Sequence, residues 1–247
     1  MFAKPALPLL PASAYPRSVK HKGKALAAAG AILAKLMLAV IFAAGLVSLV
    51  WPKGTLGLLL AAVVCFLGLG MALFTLYFFR DPDSRVPAGA GLVVAPAHGT
   101  VDVIDETDEP SVMGGRCRRI SIFLNVFNVH VQQAPVAGEV LLVKHTPGKF
   151  LNAMRTDCAQ FNENVLIGFQ AGEPAGIRVG VRLITGLIAR RIIPWLKPGE
   201  TVAKGERIAL IQFGSRANLY LPLNAEVTVK LGDKVIGGTT VMAKMPS

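Results

Sequence analysis

The first place in this 247-residue chain where chemistry suggests itself is Phe213-Gly214-Ser215, a serine that follows a glycine at the end of an apolar run. A serine hydroxyl can attack the preceding carbonyl only if the backbone lets it approach, and glycine has no Cβ to obstruct it. The Gly214–Ser215 bond is therefore a candidate for self-cleavage. The hydroxyl is a poor nucleophile until a base takes its proton. Four histidines are available for that work: His21, His98, His130 and His145. His21 belongs to a basic N-terminal arm, and His145 precedes a Pro-Gly turn and reads as structural. His130 lies in the run Ile122-Phe-Leu-Asn-Val-Phe-Asn-Val-His130-Val131, followed by Ala134-Pro135, and His98 lies in Ala97-His98-Gly99. Singly, each has an ordinary reading: a Gly-Ser turn between strands, or a histidine satisfied within a strand.

These residues need a scaffold, and the composition describes two. The chain is 53% hydrophobic, with mean hydropathy +0.53, too apolar for an ordinary soluble domain. The excess sits near the N-terminus. Thr55 to Phe79 runs 25 residues without a charge, enough to cross a hydrocarbon core of about 30 Å. Ala25 to Trp51 is similar apart from Lys35, which can snorkel to the near interface. Trp51-Pro52-Lys53-Gly54 reads as the turn of a helical hairpin with an aromatic at the interface. Residues 1–79 hold seven Lys/Arg and no Asp or Glu, and Arg17, Lys20, Lys22 and Lys24 all precede the first span. The turn offers Lys53 alone, while Arg80 and Arg85 follow the second span. The positive-inside rule then puts both ends in the cytoplasm, at the inner membrane.

Residues 1–24 thus form a basic arm, 25–79 two transmembrane helices (about 25–51 and 55–79), and 80–247 a separate domain of net charge +4. That charge is too dilute, and too poor in interleaved aromatics, for a nucleic-acid site. Cys65, Cys117 and Cys158 are scattered, without CxxC spacing, which suggests neither a disulfide framework nor a zinc site and suits a reducing compartment.

From Arg80 onward, Pro/Gly punctuation alternates with short β-rich runs: 91–95, 99–104, 119–124, 138–143, 177–187, 207–213, 217–221 and 226–231. A mainly β domain is expected. Leu183 to Ile193 has a helical alternative, because Ile184, Leu187, Ile188 and Ile192 keep a 3–4 spacing ahead of Pro194. An internal repeat aligns Gly199, Val202, Gly205 and Ile208 with Gly232, Val235, Gly238 and Val241. The glycines suit turns of positive φ and the branched residues suit buried strand faces. Ala95-Pro-Ala-His-Gly99-Thr-Val and Ala134-Pro-Val-Ala-Gly138-Glu-Val form a second pair. Two similar half-units would pack as a compact, barrel-sandwich-like β fold, resembling biotinyl and lipoyl carrier domains but without their Met-Lys-Met hairpin.

Together the motifs resemble the phosphatidylserine decarboxylases. Leu210-Ile-Gln-Phe-Gly214-Ser215-Arg216, with Leu219-Tyr-Leu-Pro222, is similar to that family's processing site, and the His130 run to the histidine motif of its short, archaeal-type branch. Phe78-Phe-Arg-Asp-Pro82, Pro147-Gly-Lys-Phe-Leu-Asn-Ala153 and Gly186-Leu-Ile-Ala-Arg190-Arg191-Ile192 follow the family order. The resemblance implies a β chain 1–214 and an α chain 215–247, with Ser215 converted to a pyruvoyl group that takes the substrate amine as a Schiff base. It implies no metal. His130 becomes the general base. Arg190 and Arg191 become candidates for the substrate phosphate or carboxylate, because guanidinium forks fit both.

This chain departs from the family pattern at three points. Gln132-Gln133 stands for the usual Asn-Arg, and Asn162-Glu163-Asn164 for Asn-Glu-Arg. His98 stands where relatives carry the aspartate of an Asp-His-Ser triad, and an imidazole supplies no negative charge to a protonated His130. A natural variant, an engineered block on maturation, and relief by Asp102 or Asp105 all remain open. The expected partner is the membrane phospholipid phosphatidylserine, with a homo-oligomer left open. The rival class is a non-enzymatic, membrane-anchored β-sandwich adaptor. A zinc peptidase on a related sandwich lacks a His-x-His ligand pair.

Overall fold

The structure, a computed structural model, describes residues 20–51, 54–149, 161–186, 191–212 and 215–246. They divide into two units, one within Lys22–Pro82 and the other made of residues 20 and 21 with those from Asp83 on. The first unit is a pair of helices, α1 (Lys24–Val50) and α2 (Thr55–Phe78), of 27 and 24 residues. At a helical rise of about 1.5 Å per residue, each is longer than a hydrocarbon core is thick. Side chains that would form the inside of a soluble protein stand outside: Phe42, Leu58 and Phe66 are each about three-quarters exposed (74%, 76% and 74%). Gly68 of α2 faces Val40 of α1, whose methyl carbon lies 2.5 Å from where a Cβ would be, so the missing side chain lets the helices close. The hydroxyls of Ser48 and Thr75 donate to carbonyls one turn back, Ala44 (3.0 Å) and Met71 (2.8 Å), so neither hydroxyl is left without an acceptor.

The second unit contains β1 (Leu92–Val94), β2 (Gly99–Glu109), β3 (Gly115–Leu124), β4 (Val131–Gln133), β5 (Gly138–Thr146), β6 (Asn164–Ala171) and β7 (Arg178–Thr185). They are followed by β8 (Arg191–Pro194), β9 (Thr201–Val202), β10 (Arg207–Gln212), β11 (Ser215–Leu221), β12 (Glu226–Val227), β13 (Lys234–Val235) and β14 (Val241–Lys244). A curled eight-stranded sheet runs β13-β2-β3-β11-β7-β6-β5-β9, and two three-stranded sheets run β4-β10-β8 and β1-β14-β12. Their facing sides bury Ile120, Ile122, Leu124, Phe169, Val181, Leu183, Ala217 and Leu219 completely, the apolar burial that drives such a fold.

The repeats explain the architecture. Gly205 donates its N–H to the Ala134 carbonyl and Gly238 to the Ala95 carbonyl, both at 2.8 Å. Val202 pairs with Gly138 and Val235 with Gly99. Gly199 donates to Val140 (2.8 Å) and Gly232 to Val101 (2.7 Å). Each glycine repeat is thus stitched to one Ala-Pro-x-x-Gly segment by the same bonds, and the unit is two copies of one half-motif. Gly205 and Gly238 sit at φ 76° and 71°, a region where a side chain would meet its own backbone.

One alternative is decided and one element is new. Residues 183–185 belong to β7, within the β-run expected over 177–187, and not to the helix offered as its alternative: β7 is hydrogen-bonded on both sides, to β6 and β11. Its alternate residues pack on opposite faces, so apolar content on both sides of a buried central strand imitated a helical spacing. β6 was not anticipated at all, although Asn164-Val-Leu-Ile-Gly-Phe-Gln-Ala171 is buried along nearly its whole length.

Candidate active site

The sheet register gathers the candidate residues at one end. Ser215, the first residue of β11, lies between Leu124, the last of β3, and Thr185, the last of β7. On the far side of β3, Thr100 pairs with Phe123, which brings the start of β2, and His98 just before it, two strands from Ser215. Two strand spacings are about 10 Å. His130 immediately precedes β4, and its carbonyl accepts the N–H of Ile211 (3.1 Å), near the end of β10 that leads towards Ser215. Gly214 lies outside the described residues.

Ser215 is wholly buried, and its Oγ has no hydrogen-bond partner among the described residues. The neighbouring hydroxyl does not relieve it: Thr185 Oγ1 donates to the Glu163 carbonyl at 3.0 Å. An unsatisfied buried hydroxyl costs about 1–3 kcal/mol, and folds keep such groups where chemistry uses them. His130 is also fully buried. Its Nδ1 lies 2.9 Å from the Asn128 carbonyl. A carbonyl only accepts, so Nδ1 carries the proton and Nε2 keeps the lone pair a base needs. Asn128 is itself fixed by a tight turn in which Asn125 N–H donates to Asn128 Oδ1 and Phe127 N–H to Asn125 Oδ1, both at 2.9 Å.

His98 has its Nδ1 2.9 Å from where a Cβ on Gly237 would stand, with the Gln133 carboxamide crowding the same point. Gly99 next to it has no room for a side chain, since a Cβ would run into the Phe123 carbonyl. Neither proposed substitute carboxylate is idle. Asp102 receives both terminal nitrogens of Arg216 (2.8 and 2.6 Å), and Asp105 receives Arg119 Nε (2.8 Å). Arg216 is 1% exposed and follows Ser215 directly. On a strand its side chain leaves by the opposite face, so its pair with Asp102 anchors β11 from behind Ser215.

Sequence reasoning missed that ion pair, and it missed the frame around Thr185. Asn162 Nδ2 donates to the Thr185 carbonyl (2.7 Å) and Asn164 Nδ2 to the Asn162 carbonyl (3.0 Å). Asn162-Glu163-Asn164 is thus a brace for the strand beside Ser215. His145, read as structural, bonds Glu163 Oε1 through Nε2 at 3.0 Å. Gln132 is buried with neither end of its carboxamide hydrogen-bonded among the described residues. Arg191 is exposed and pairs by backbone with Gln212, while Arg190 lies outside the described residues.

Other chemistries find less support in the same unit. Cys117 in β3 is buried, and burial first, then the nearby Glu109 and Asp108 charges, push its thiol up to about 11. It stays protonated at neutral pH and is no rival nucleophile. Among the described residues no group of three or more His, Cys, Asp or Glu side chains is gathered to hold a metal. A groove lined by Arg116, Arg178 and Leu223 opens at the far end of β11, about 20 Å from Ser215 by strand length.

Known proteins carry the same arrangement of sequence. The family model described as phosphatidylserine decarboxylase matches residues 71–243. A phosphatidylserine decarboxylase proenzyme of Desulfotalea psychrophila is 43% identical over 183 residues, covering 74% of this chain and 85% of that one. The proenzyme of Symbiobacterium thermophilum is 44% identical over 177 residues (72% and 81%), and that of Ruegeria pomeroyi 40% over 190 (76% and 86%). The matched span contains Ser215, His130, His98 and the strands that bring them to one sheet end, and on that combined ground the chain belongs to the phosphatidylserine decarboxylase family.

Proposed function

We propose that this chain is a membrane-anchored decarboxylase that converts phosphatidylserine to phosphatidylethanolamine after cutting itself between Gly214 and Ser215. The observation that carries the reading is the Ser215 hydroxyl: buried, unbonded among the described residues, and held at the head of a strand paired on both sides. Those residues fit the pyruvoyl group that the family uses. A serine with an idle Oγ is its precursor, and the carbonyl so formed supplies an electron sink for loss of CO₂.

His130 Nε2 takes the Ser215 proton while Oγ bonds to the Gly214 carbonyl carbon. The C–N bond then breaks, the proton passes to the freed amine, and an ester joins the two chains. Loss of the Ser215 Cα proton and of the Gly214 carboxylate leaves dehydroalanine. Water hydrolyses it with release of ammonia, giving chains 1–214 and 215–247. The Asn128 carbonyl holds the His130 ring through Nδ1, and the buried setting keeps bulk water from intercepting the ester. Arg191, exposed at the start of β8, and Arg190 are the proposed contacts for the substrate phosphate or carboxylate.

The two helices span the membrane, with the β domain, a barrel-sandwich of two half-motifs, on the cytoplasmic face. Cysteine mapping in spheroplasts checks this: position 53 labels from outside and the β domain does not, whereas the reverse pattern refutes the orientation. The function itself is checked on purified full-length protein. Two chains on a denaturing gel and release of CO₂ from phosphatidylserine vesicles support it, while a single inert chain returns the molecule to the adaptor class.

His98 supplies a graded test. His98→Asp introduces a carboxylate that can stabilise the imidazolium formed when His130 takes the Ser215 proton. Fragment 215–247 is expected to appear faster than from the natural sequence, in a time course of both proteins. Equal rates would mean that the Asn128 carbonyl suffices to hold the base and that position 98 is incidental to maturation.

A further inference from the structure

Large apolar side chains belong inside, and the β domain leaves only a few outside. Two stand at the end of the sheet that holds Ser215. Phe127 is 62% exposed and Phe161 47%. Neither is carried there by a loose tail. Phe127 occupies the turn that leaves β3 just after Leu124, the partner of Ser215, and its own N–H is tied to Asn125 Oδ1. Phe161 precedes Asn162, which holds the Thr185 carbonyl on the other flank of Ser215, and its carbonyl accepts the Lys149 N–H at 2.6 Å. Two aromatic rings are therefore pushed into solvent by hydrogen-bonded backbone, one on each side of the candidate nucleophile.

Among the described residues the exposed charge beside them is positive. Lys149 is exposed beside Phe161, and Arg191 is exposed where β8 begins, opposite Gln212. Glu163, next to Asn162, is turned away from solvent, its side chain 14% exposed and bonded to His145. Exposed aromatics ringed by cations are what an anionic bilayer accepts: rings enter the boundary between headgroups and acyl chains, and lysine or arginine gains from the negative surface potential. A protein partner's interface would share the aromatics and arginine but is depleted in lysine, so Lys149 beside Phe161 favours the lipid.

We propose that the Ser215 end of the β domain is a lipid-docking surface, with Phe127 and Phe161 entering an anionic bilayer and Lys149 and Arg191 meeting its phosphates. The choice of a lipid as occupant rests on the decarboxylase reading, since it brings the reacting head group to the nucleophile without removing the lipid from its leaflet. Docking by this end is distinct from anchoring by the helices, because it orients the site rather than merely tethering it.

The test uses the full chain in vesicles, with Trp51→Phe and Trp195→Phe as background and one further substitution at a time: Phe127→Trp, Phe161→Trp, or Leu223→Trp as control. Leu223 is 42% exposed and lies just beyond the opposite end of β11. The vesicles contain phosphatidylcholine brominated in its acyl chains, with or without phosphatidylglycerol, which has no serine head group. Tryptophans at 127 and 161 are expected to lose most of their emission to bromine when phosphatidylglycerol is present, and that at 223 to keep it. Lys149→Gln with Arg191→Gln should abolish the part of the quenching that depends on phosphatidylglycerol. Unquenched probes at both 127 and 161, or quenching at 223 alone, would overturn the proposal. Because phosphatidylglycerol is not decarboxylated, quenching without activity on phosphatidylserine would sink the enzymatic reading and leave docking intact. Activity without quenching would do the opposite.

Discussion

Ser215→Ala is expected to give one uncut chain and no measurable decarboxylation. Alanine has no oxygen to attack the Gly214 carbonyl and none to leave during elimination, so both the new N-terminus and the carbonyl derived from it are lost together. The fold should survive. Ser215 Oγ makes no hydrogen bond among the described residues, so its removal leaves the ladders of β11 with β3 and β7 intact and relieves a desolvated hydroxyl. Melting should be unchanged or slightly higher, by about 1 kcal/mol at most. That separates this variant from one that merely unfolds. Ser215→Cys, which keeps a nucleophile in place, is expected to cut slowly. Denaturing electrophoresis, mass spectrometry of the small fragment and a CO₂-release assay read the outcome. A fragment 215–247 with a blocked N-terminus from Ser215→Ala would refute self-cleavage by this serine.

What was legible in the sequence was local or periodic. The helices announced themselves by uninterrupted apolar length, and observed α2, Thr55–Phe78, begins at the residue where the charge-free stretch begins. The glycine repeats were legible because positive φ at positions such as Gly205 and Gly238 narrows the choice of residue almost to one. What escaped was long-range. Asp102 and Arg216 are 114 residues apart in the chain, and nothing in either neighbourhood says that they meet. Asn162 was read as part of a motif, whereas its role is to hold the carbonyl of Thr185, 23 residues on. β6 was missed for a different reason: a strand buried on both faces shows no alternation, and Gly168 in its middle reads as punctuation. Phe127 carried no signal of its own: nothing in the run around His130 marks it as exposed, and in the fold it is 62% exposed in the turn after β3.

His130→Ala should slow self-cleavage by roughly 10²–10⁴, the usual worth of a positioned acid–base group. The argument rests on how the ring is held. Its Nδ1 donates to the Asn128 carbonyl, and Asn128 belongs to a turn braced by two further bonds, so the basic nitrogen has a fixed direction before any substrate arrives. Such preorganisation is what a base near a serine requires, and it comes here from the backbone rather than from a carboxylate at position 98. The backbone bond from Ile211 to residue 130 remains in the variant, while emptying the space of a fully buried ring and losing its donor to Asn128 cost about 2–4 kcal/mol. A histidine kept only for packing would give the same loss of stability with cleavage at the natural rate. The discriminating measurement is therefore a time course of fragment 215–247 with and without added imidazole. Slow cleavage that free imidazole partly restores identifies a missing base, since a small base can enter the vacated volume but cannot repair a packing defect. Cleavage at the natural rate would remove His130 from the chemistry and leave Ser215 in search of another proton acceptor.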